Sequence, residues 1–144
     1  MNREALRYVL AVGMVGIGIL HFTNAPAFVS IMPPYLPWHL ELVYLSGAIE
    51  IGLGLLLLPR ATRNFAAWSL IALYLAVYPA NIHMALHEVT VQGLPPGVEQ
   101  PSRLMAWLRL PFQLVFIYWA YQYTDRAEAT RGARRAGSVD SPAS

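Results

Sequence analysis

Three features of the sequence predict an all-α protein, specifically a four-helix transmembrane bundle with a Pro-rich interfacial loop between its first two helices. Four apolar runs each reach the roughly 20 residues that a hydrocarbon core of about 30 Å requires. Hydrophobic residues make up 56% of the 144 positions and charged residues only 12%, about half the charge of an ordinary soluble domain. Most of the arginines lie at the ends of the runs or between them, and none of the runs carries a charged stripe along one face, as a helix of a soluble protein would.

The first run is Ala5–Thr23, with Arg3 before it and Arg7 in its first turn. An alternative reading takes Arg3, Arg7, the apolar stretch from Tyr8 to Leu20 and the Ala25-Pro26-Ala27 that follows as a cleaved signal peptide. The segment 24–37 contains Pro26, Pro33, Pro34 and Pro37, a density that argues against regular helix. Phe28, Ile31, Met32, Tyr35 and Leu36 make it too apolar for open water, so it is expected to lie in the membrane interface, dipping back as a lid. The second run is Trp38–Leu58 and the third Asn64–Leu86. The third is the clearest, because between Phe65 and Ala80 only Ser69 and two tyrosines are polar. A connector, His87–Ser102, holds Gly93, Pro95, Pro96, Gly97 and Pro101 and reads as an ordinary mobile loop. The fourth run is Leu104–Tyr123. The transmembrane domain therefore covers residues 1–123. Residues 124–144, charged and rich in Ala, Gly and Ser, are expected to form a disordered cytoplasmic tail. No internal repeat is present.

All ten basic residues are arginine, and their placement orients the chain. Arg3 and Arg7 lie before and at the start of the first run, Arg60 and Arg63 join the second to the third, and Arg126, Arg131, Arg134 and Arg135 follow the fourth. The other two connections carry only Arg103, against Glu88 and Glu99. The positive-inside bias then predicts a membrane crossed several times with both termini in the cytoplasm. Trp38 and Trp107 fall near the outer boundary and Trp68 and Trp119 near the inner one, as an aromatic belt requires. With a net charge of +2 and no basic face interleaved with aromatics, nucleic acid is not an expected partner. The chain has no cysteine, which excludes disulfides, thiolate metal sites and any dithiol relay of its own. Redox work by this chain would need a bound cofactor or a redox partner protein.

A charge at mid-bilayer costs at least about 2.5 kcal/mol and needs a partner or a purpose. Glu50 and Arg109 are the two charges well inside the runs. Glu50 shares a helical face with Gly47 and Gly54, at i−3 and i+4, and glycines on a face let another helix approach closely. That face is expected to point inward, with Ser46 bonding the carboxyl. At about 1.5 Å per residue, Arg109 sits ~8 Å below the outer boundary and Glu50 ~18 Å below it, so a buried Arg109–Glu50 pair is expected, direct or through Gln113. An interhelical clamp is the plainer reading of such a pair. His21, Asn81, His83 and His87 gather toward the same end, with His21 expected to bond Asn81 or a ligand oxygen. His83 and His87, at i,i+4, could present both imidazoles to a metal, but His87 lies at the water boundary and no metal site is assigned. Pro79 and Pro111 each release a backbone carbonyl one turn earlier, and irregular backbone at membrane depth often lines a cavity.

These residues resemble the DoxX-like family of small bacterial membrane proteins. The resemblance is carried by Gly18-Ile19-Leu20-His21-Phe22, Ile31-Met32-Pro33-Pro34-Tyr35-Leu36-Pro37, Ser46-Gly47-Ala48-Ile49-Glu50, Pro79-Ala80-Asn81-Ile82 and Leu108-Arg109-Leu110-Pro111-Phe112-Gln113, in order between about Tyr8 and Tyr123. It implies a four-helix membrane bundle in which the first run is retained. Relatives in the wider group include a subunit of a thiosulfate:quinone oxidoreductase. By that analogy His21, Glu50, Asn81 and Arg109, with His83 and Gln113 beside them, form a ligand-binding set for a quinone or small anion. The function expected is a redox-linked membrane subunit working with a partner protein. The alternatives are a non-catalytic scaffold or assembly factor, and a small-solute transporter that would need a homo-oligomer to build a pathway.

Overall fold

The computed structural model describes residues 2–87, 89–94 and 96–139. Among them there are six helices and no strand: α1 (Arg3–Thr23), α2 (Ala25–Ser30), α3 (His39–Leu56), α4 (Arg60–Leu86), α5 (Arg103–Tyr121) and α6 (Asp125–Val139). Three of them, α1, α3 and α4, are long and apolar enough to cross a membrane. The fourth long helix, α5, has 19 residues and is more polar, carrying Arg103, Arg109 and Gln113 over the same length. Large apolar side chains point away from the protein on every long helix. Val12 is 71% exposed, Phe65 65% and Tyr118 66%, an exterior suited to lipid and not to water.

The helix ends follow local chemistry. The side chain of Asn2 accepts the amide of Ala5 at 2.8 Å and starts α1, and that of Ser102 accepts the amide of Met105 and starts α5, as N-caps do. Pro59 precedes α4 as its N-cap. Both internal prolines, Pro79 in α4 and Pro111 in α5, are carried inside continuous helices.

The four long helices meet in one core at the end where the termini lie. Leu10 and Met14 of α1, Leu53 and Leu57 of the α3 end, Ala66 and Leu70 of α4, and Ala120 and Tyr123 of the α5 end are all buried there. At the opposite end a smaller core, Met84, Ala85 and Ala106, joins α4 to α5. Between α1 and α3 the backbones are nearly in contact. A Cβ added to Gly47 would lie 2.6 Å from His21 Cβ and 2.9 Å from the Gly18 carbonyl oxygen, and one added to Gly54 would lie 2.9 Å from the Ala11 oxygen. The inward glycine face expected around Glu50 is present, and α1 is the helix it admits.

Three segments differ from the sequence expectation. The segment 24–37 begins with a six-residue helix, α2, because Pro26 sits in its first turn, where a missing N–H costs nothing. The connector between α4 and α5 is tied at several points. The Gln100 side-chain amide accepts from Val91 N at 2.8 Å and donates to Val91 O at 2.9 Å, and Gln92 N donates to Ser30 Oγ of α2. Gly93, at φ +70°, lies against Asn24 Oδ1, where a Cβ would come within 2.8 Å. Finally, residues 125–139 of the expected disordered tail form α6. Asn64 Oδ1 accepts the Asp125 amide and Thr124 Oγ1 the Ala127 amide, which satisfies donors of its first turn. Residues 140–144 of that tail lie outside the described residues.

Candidate functional site

Glu50 is carried by the glycine face of α3 and lies opposite His21 of α1. His21 Nδ1 is 3.2 Å from Glu50 Oε2, and the two residues are only 7% and 8% exposed. This separation is an ion-pair distance without a hydrogen bond. The geometry assigns the single Nδ1 proton to the Ile17 carbonyl, 2.9 Å away on the preceding turn, and Glu50 Oε2 is left buried with no donor. Phe28 of α2 covers the imidazole in a stack with centroids 3.8 Å apart, and Phe22 stacks on Tyr44 beside it. A buried carboxyl oxygen without a donor is costly, and with Nδ1–H committed to Ile17 Oε2 calls for one from a bound molecule. Ser46 does not supply it, because its hydroxyl donates to Val43 O at 2.9 Å.

Arg109 does not form the expected pair with Glu50. Its Nη1 donates to Met84 Sδ at 3.7 Å, the side chain is exposed, and among the described residues it has no ion-pair partner. The reason lies in which helix each face meets. The stripe of α5 that holds Gln113 packs on α4, whereas the Glu50 face of α3 is closed by α1. His21 likewise does not reach Asn81, whose side-chain Nδ2 donates to Gln113 Oε1. Gln113 Nε2 in turn donates to the Tyr74 carbonyl, five residues before Pro79, at the part of α4 that the proline loosens. This chain of amides spans the α4–α5 seam. Gln113→Leu strands the Asn81 amide and removes the extra bond to the Tyr74 carbonyl, and is expected to lower stability by about 2 kcal/mol, readable as a reduced melting temperature in detergent. An unchanged melting temperature would show that the chain is not formed.

His83 and His87 stack with centroids 4.2 Å apart, and His87 Nδ1 bonds the His83 carbonyl. Among the described residues no group of three His, Cys, Asp or Glu side chains is placed to hold a metal. The six candidates thus divide: His21 and Glu50 form a dyad, Asn81 and Gln113 a separate amide link, and His83 and Arg109 stand apart.

Sequence reasoning read Arg7 and Arg63 only as topology markers. Arg7 is 3% exposed. Its Nη1 donates to Leu58 O at 2.7 Å and Leu57 O at 3.3 Å, and its Nη2 to Glu4. Arg63 lies between Glu4, at 3.7 Å, and Glu128 of α6, at 4.0 Å. The one signal available was Glu4 three residues before Arg7, with Arg7 already a turn inside the apolar run. Two cavities lie near the helix ends. One of about 340 Å³ lies among Glu4, Arg60, Arg63, Asn64 and Asp125. The other, of about 230 Å³, lies among Met84, His87, Thr90, Gln100 and Arg103.

Residues 10–124 match the model of a family described as a domain of unknown function (DUF8561). No curated protein and no solved structure matches the chain.

Proposed function

We propose that this chain, which belongs to the DUF8561 family, is a four-helix integral membrane protein that binds a quinol or quinone headgroup at the His21–Glu50 dyad and exchanges protons with it. In this reading α5 is the fourth span and the DoxX-like architecture applies. The distribution of arginine supports both termini lying on the cytoplasmic side, and the DoxX-like resemblance supports the inner membrane of a bacterium. The observation that carries the ligand is the buried Glu50 Oε2 without a donor, 3.2 Å from an imidazole, on two helices long and apolar enough to span a membrane. A quinol hydroxyl is a donor that arrives through lipid. Its O–H bonds Oε2, and as two electrons leave to a partner redox protein, the two hydroxyl protons pass to the dyad and onward. Phe28 and Tyr44 offer flat surfaces for the ring. A free anion suits the site poorly, since Arg109 lies elsewhere and a carboxyl lines it.

Glu50→Gln separates binding from folding. Glutamine keeps the shape, and the Oε2 that it replaces has no hydrogen bond to lose, so stability is expected to change by less than about 1 kcal/mol. Quinone recovered from gently purified protein is expected to fall about tenfold, because the carboxyl acceptor is lost. Wild-type protein devoid of quinone, or a variant that retains it, would contradict the reading. One observation favours a scaffold instead: the Asn81–Gln113–Tyr74 link is satisfied internally and does nothing but hold α4 to α5. A stable Glu50→Gln protein with its cellular role intact would select that alternative.

A further inference from the structure

Away from the dyad, and independent of it, a cavity lies between the end of α4 and the start of α5. It is lined by Met84, His87, Thr90, Gln100, Arg103 and Ala106. Arg109 lies next to it, donating to the sulfur of the same Met84. Among the described residues neither Arg103 nor Arg109 has a carboxylate within ion-pair distance. The acidic residues that do pair with arginine, Glu4 and Glu128, lie at the other end. His87 has committed its Nδ1–H to the His83 carbonyl, which leaves Nε2, a donor when the ring is the imidazolium, for an anionic ligand, and Thr90 adds a hydroxyl. The loop that closes the cavity is fixed by the pair of hydrogen bonds between Gln100 and Val91. An arginine fork, an imidazole and a hydroxyl around about 230 Å³ suit one group above others, a phosphate.

From the cavity an apolar stripe runs down α5. Leu104, Leu108 and Phe112 are 68%, 44% and 59% exposed, and their i, i+4, i+8 spacing puts them in one line. We propose that the cavity binds the phosphate of a phospholipid headgroup through Arg103, His87 and Thr90, with Arg109 adding positive charge and the acyl chains lying along the Leu104–Phe112 stripe. The site would hold a lipid at the α4–α5 seam.

Native mass spectrometry of delipidated full-length protein tests this, with dioleoylphosphatidylglycerol, dioleoylglycerol and inorganic phosphate as the probes. The phospholipid is expected to bind at least about tenfold more tightly than the diacylglycerol that lacks the phosphate. Arg103→Gln is expected to weaken it about tenfold, and Arg103→Gln with Arg109→Gln further. Arg60→Gln, at the opposite end, should leave it unchanged. Displacement of the lipid by millimolar inorganic phosphate would keep the phosphate site and make free phosphate a second source for it; absence of displacement makes the lipid the ligand. Equal binding of phospholipid and diacylglycerol, or Arg103 variants that bind as the parent does, would overturn the proposal.

Discussion

Replacement of Gly47 by leucine is expected to cost about 3 kcal/mol or more, the upper end of what overpacking a close contact produces. The β-carbon alone would meet His21 Cβ at 2.6 Å and the Gly18 carbonyl oxygen at 2.9 Å. One obstacle is backbone and the other is the root of a side chain, so neither can swing aside. The helices α1 and α3 must separate, and the His21–Glu50 contact opens with them. Gly13→Leu, Gly16→Leu and Gly52→Leu are the matched controls. An added Cβ at any of them meets nothing within 4 Å, and leucine is the better helix former, so stability should hold or rise slightly. Thermal unfolding followed by circular dichroism in detergent separates the two groups. A Gly47→Leu protein that melts with the parent, or a Gly13→Leu protein that loses as much, would refute the α1–α3 seam.

Arg7→Ala comes next in size, at about 2–3 kcal/mol. Its ion pair with Glu4 is a minor part of this, because Glu4 is half exposed and such pairs contribute little. The larger part is one branch of the guanidinium fork, Nη1, which donates to the carbonyls of both Leu57 and Leu58. These close the end of α3, where positive charge also complements the helix dipole, and Leu57 is fully buried. Removing the fork leaves two acceptors unsatisfied beside the core shared by all four long helices. Glu4→Gln should therefore change little, and Arg7→Lys, with charge but no fork, should fall between. Denaturation in graded SDS ranks the series. Equal losses from Glu4→Gln and Arg7→Ala would mean that the ion pair, and not the capping, holds this end.

What the sequence revealed was what depends on local composition. The four apolar runs coincide with α1, α3, α4 and α5 to within four residues at every end, because an apolar run needs no tertiary information to become a helix. The inward face of α3 was legible for the same reason: Gly47 and Gly54 flank Glu50 at helical spacing. Which helix would meet that face was not. Counting residues gives the height of Glu50 and Arg109 along their helices but says nothing about neighbours, and α1 occupies the place that the expected pair reserved for α5. His21 was already a candidate and was assigned to Asn81, which Gln113 had taken. The short helix α2 was missed because four prolines were read as one feature, although Pro26 alone falls in a first turn and the others follow Ile31. The role of Arg7 was hidden by its position beside the N-terminus, where topology accounts for an arginine without asking what it touches.

The account depends on α1 and α3 presenting one imidazole to one carboxyl inside the helices. Solid-state NMR on the protein in lipid bilayers, with nitrogen-15 in histidine and arginine and carbon-13 at the glutamate carboxyl, measures this contact directly. The predicted result is strong dipolar coupling between the Glu50 carboxyl carbon and the His21 imidazole, from Nδ1 and Oε2 lying 3.2 Å apart, and its disappearance in Glu50→Gln. No coupling to His21, or a coupling from Glu50 to the Arg109 guanidinium in its place, would contradict the account.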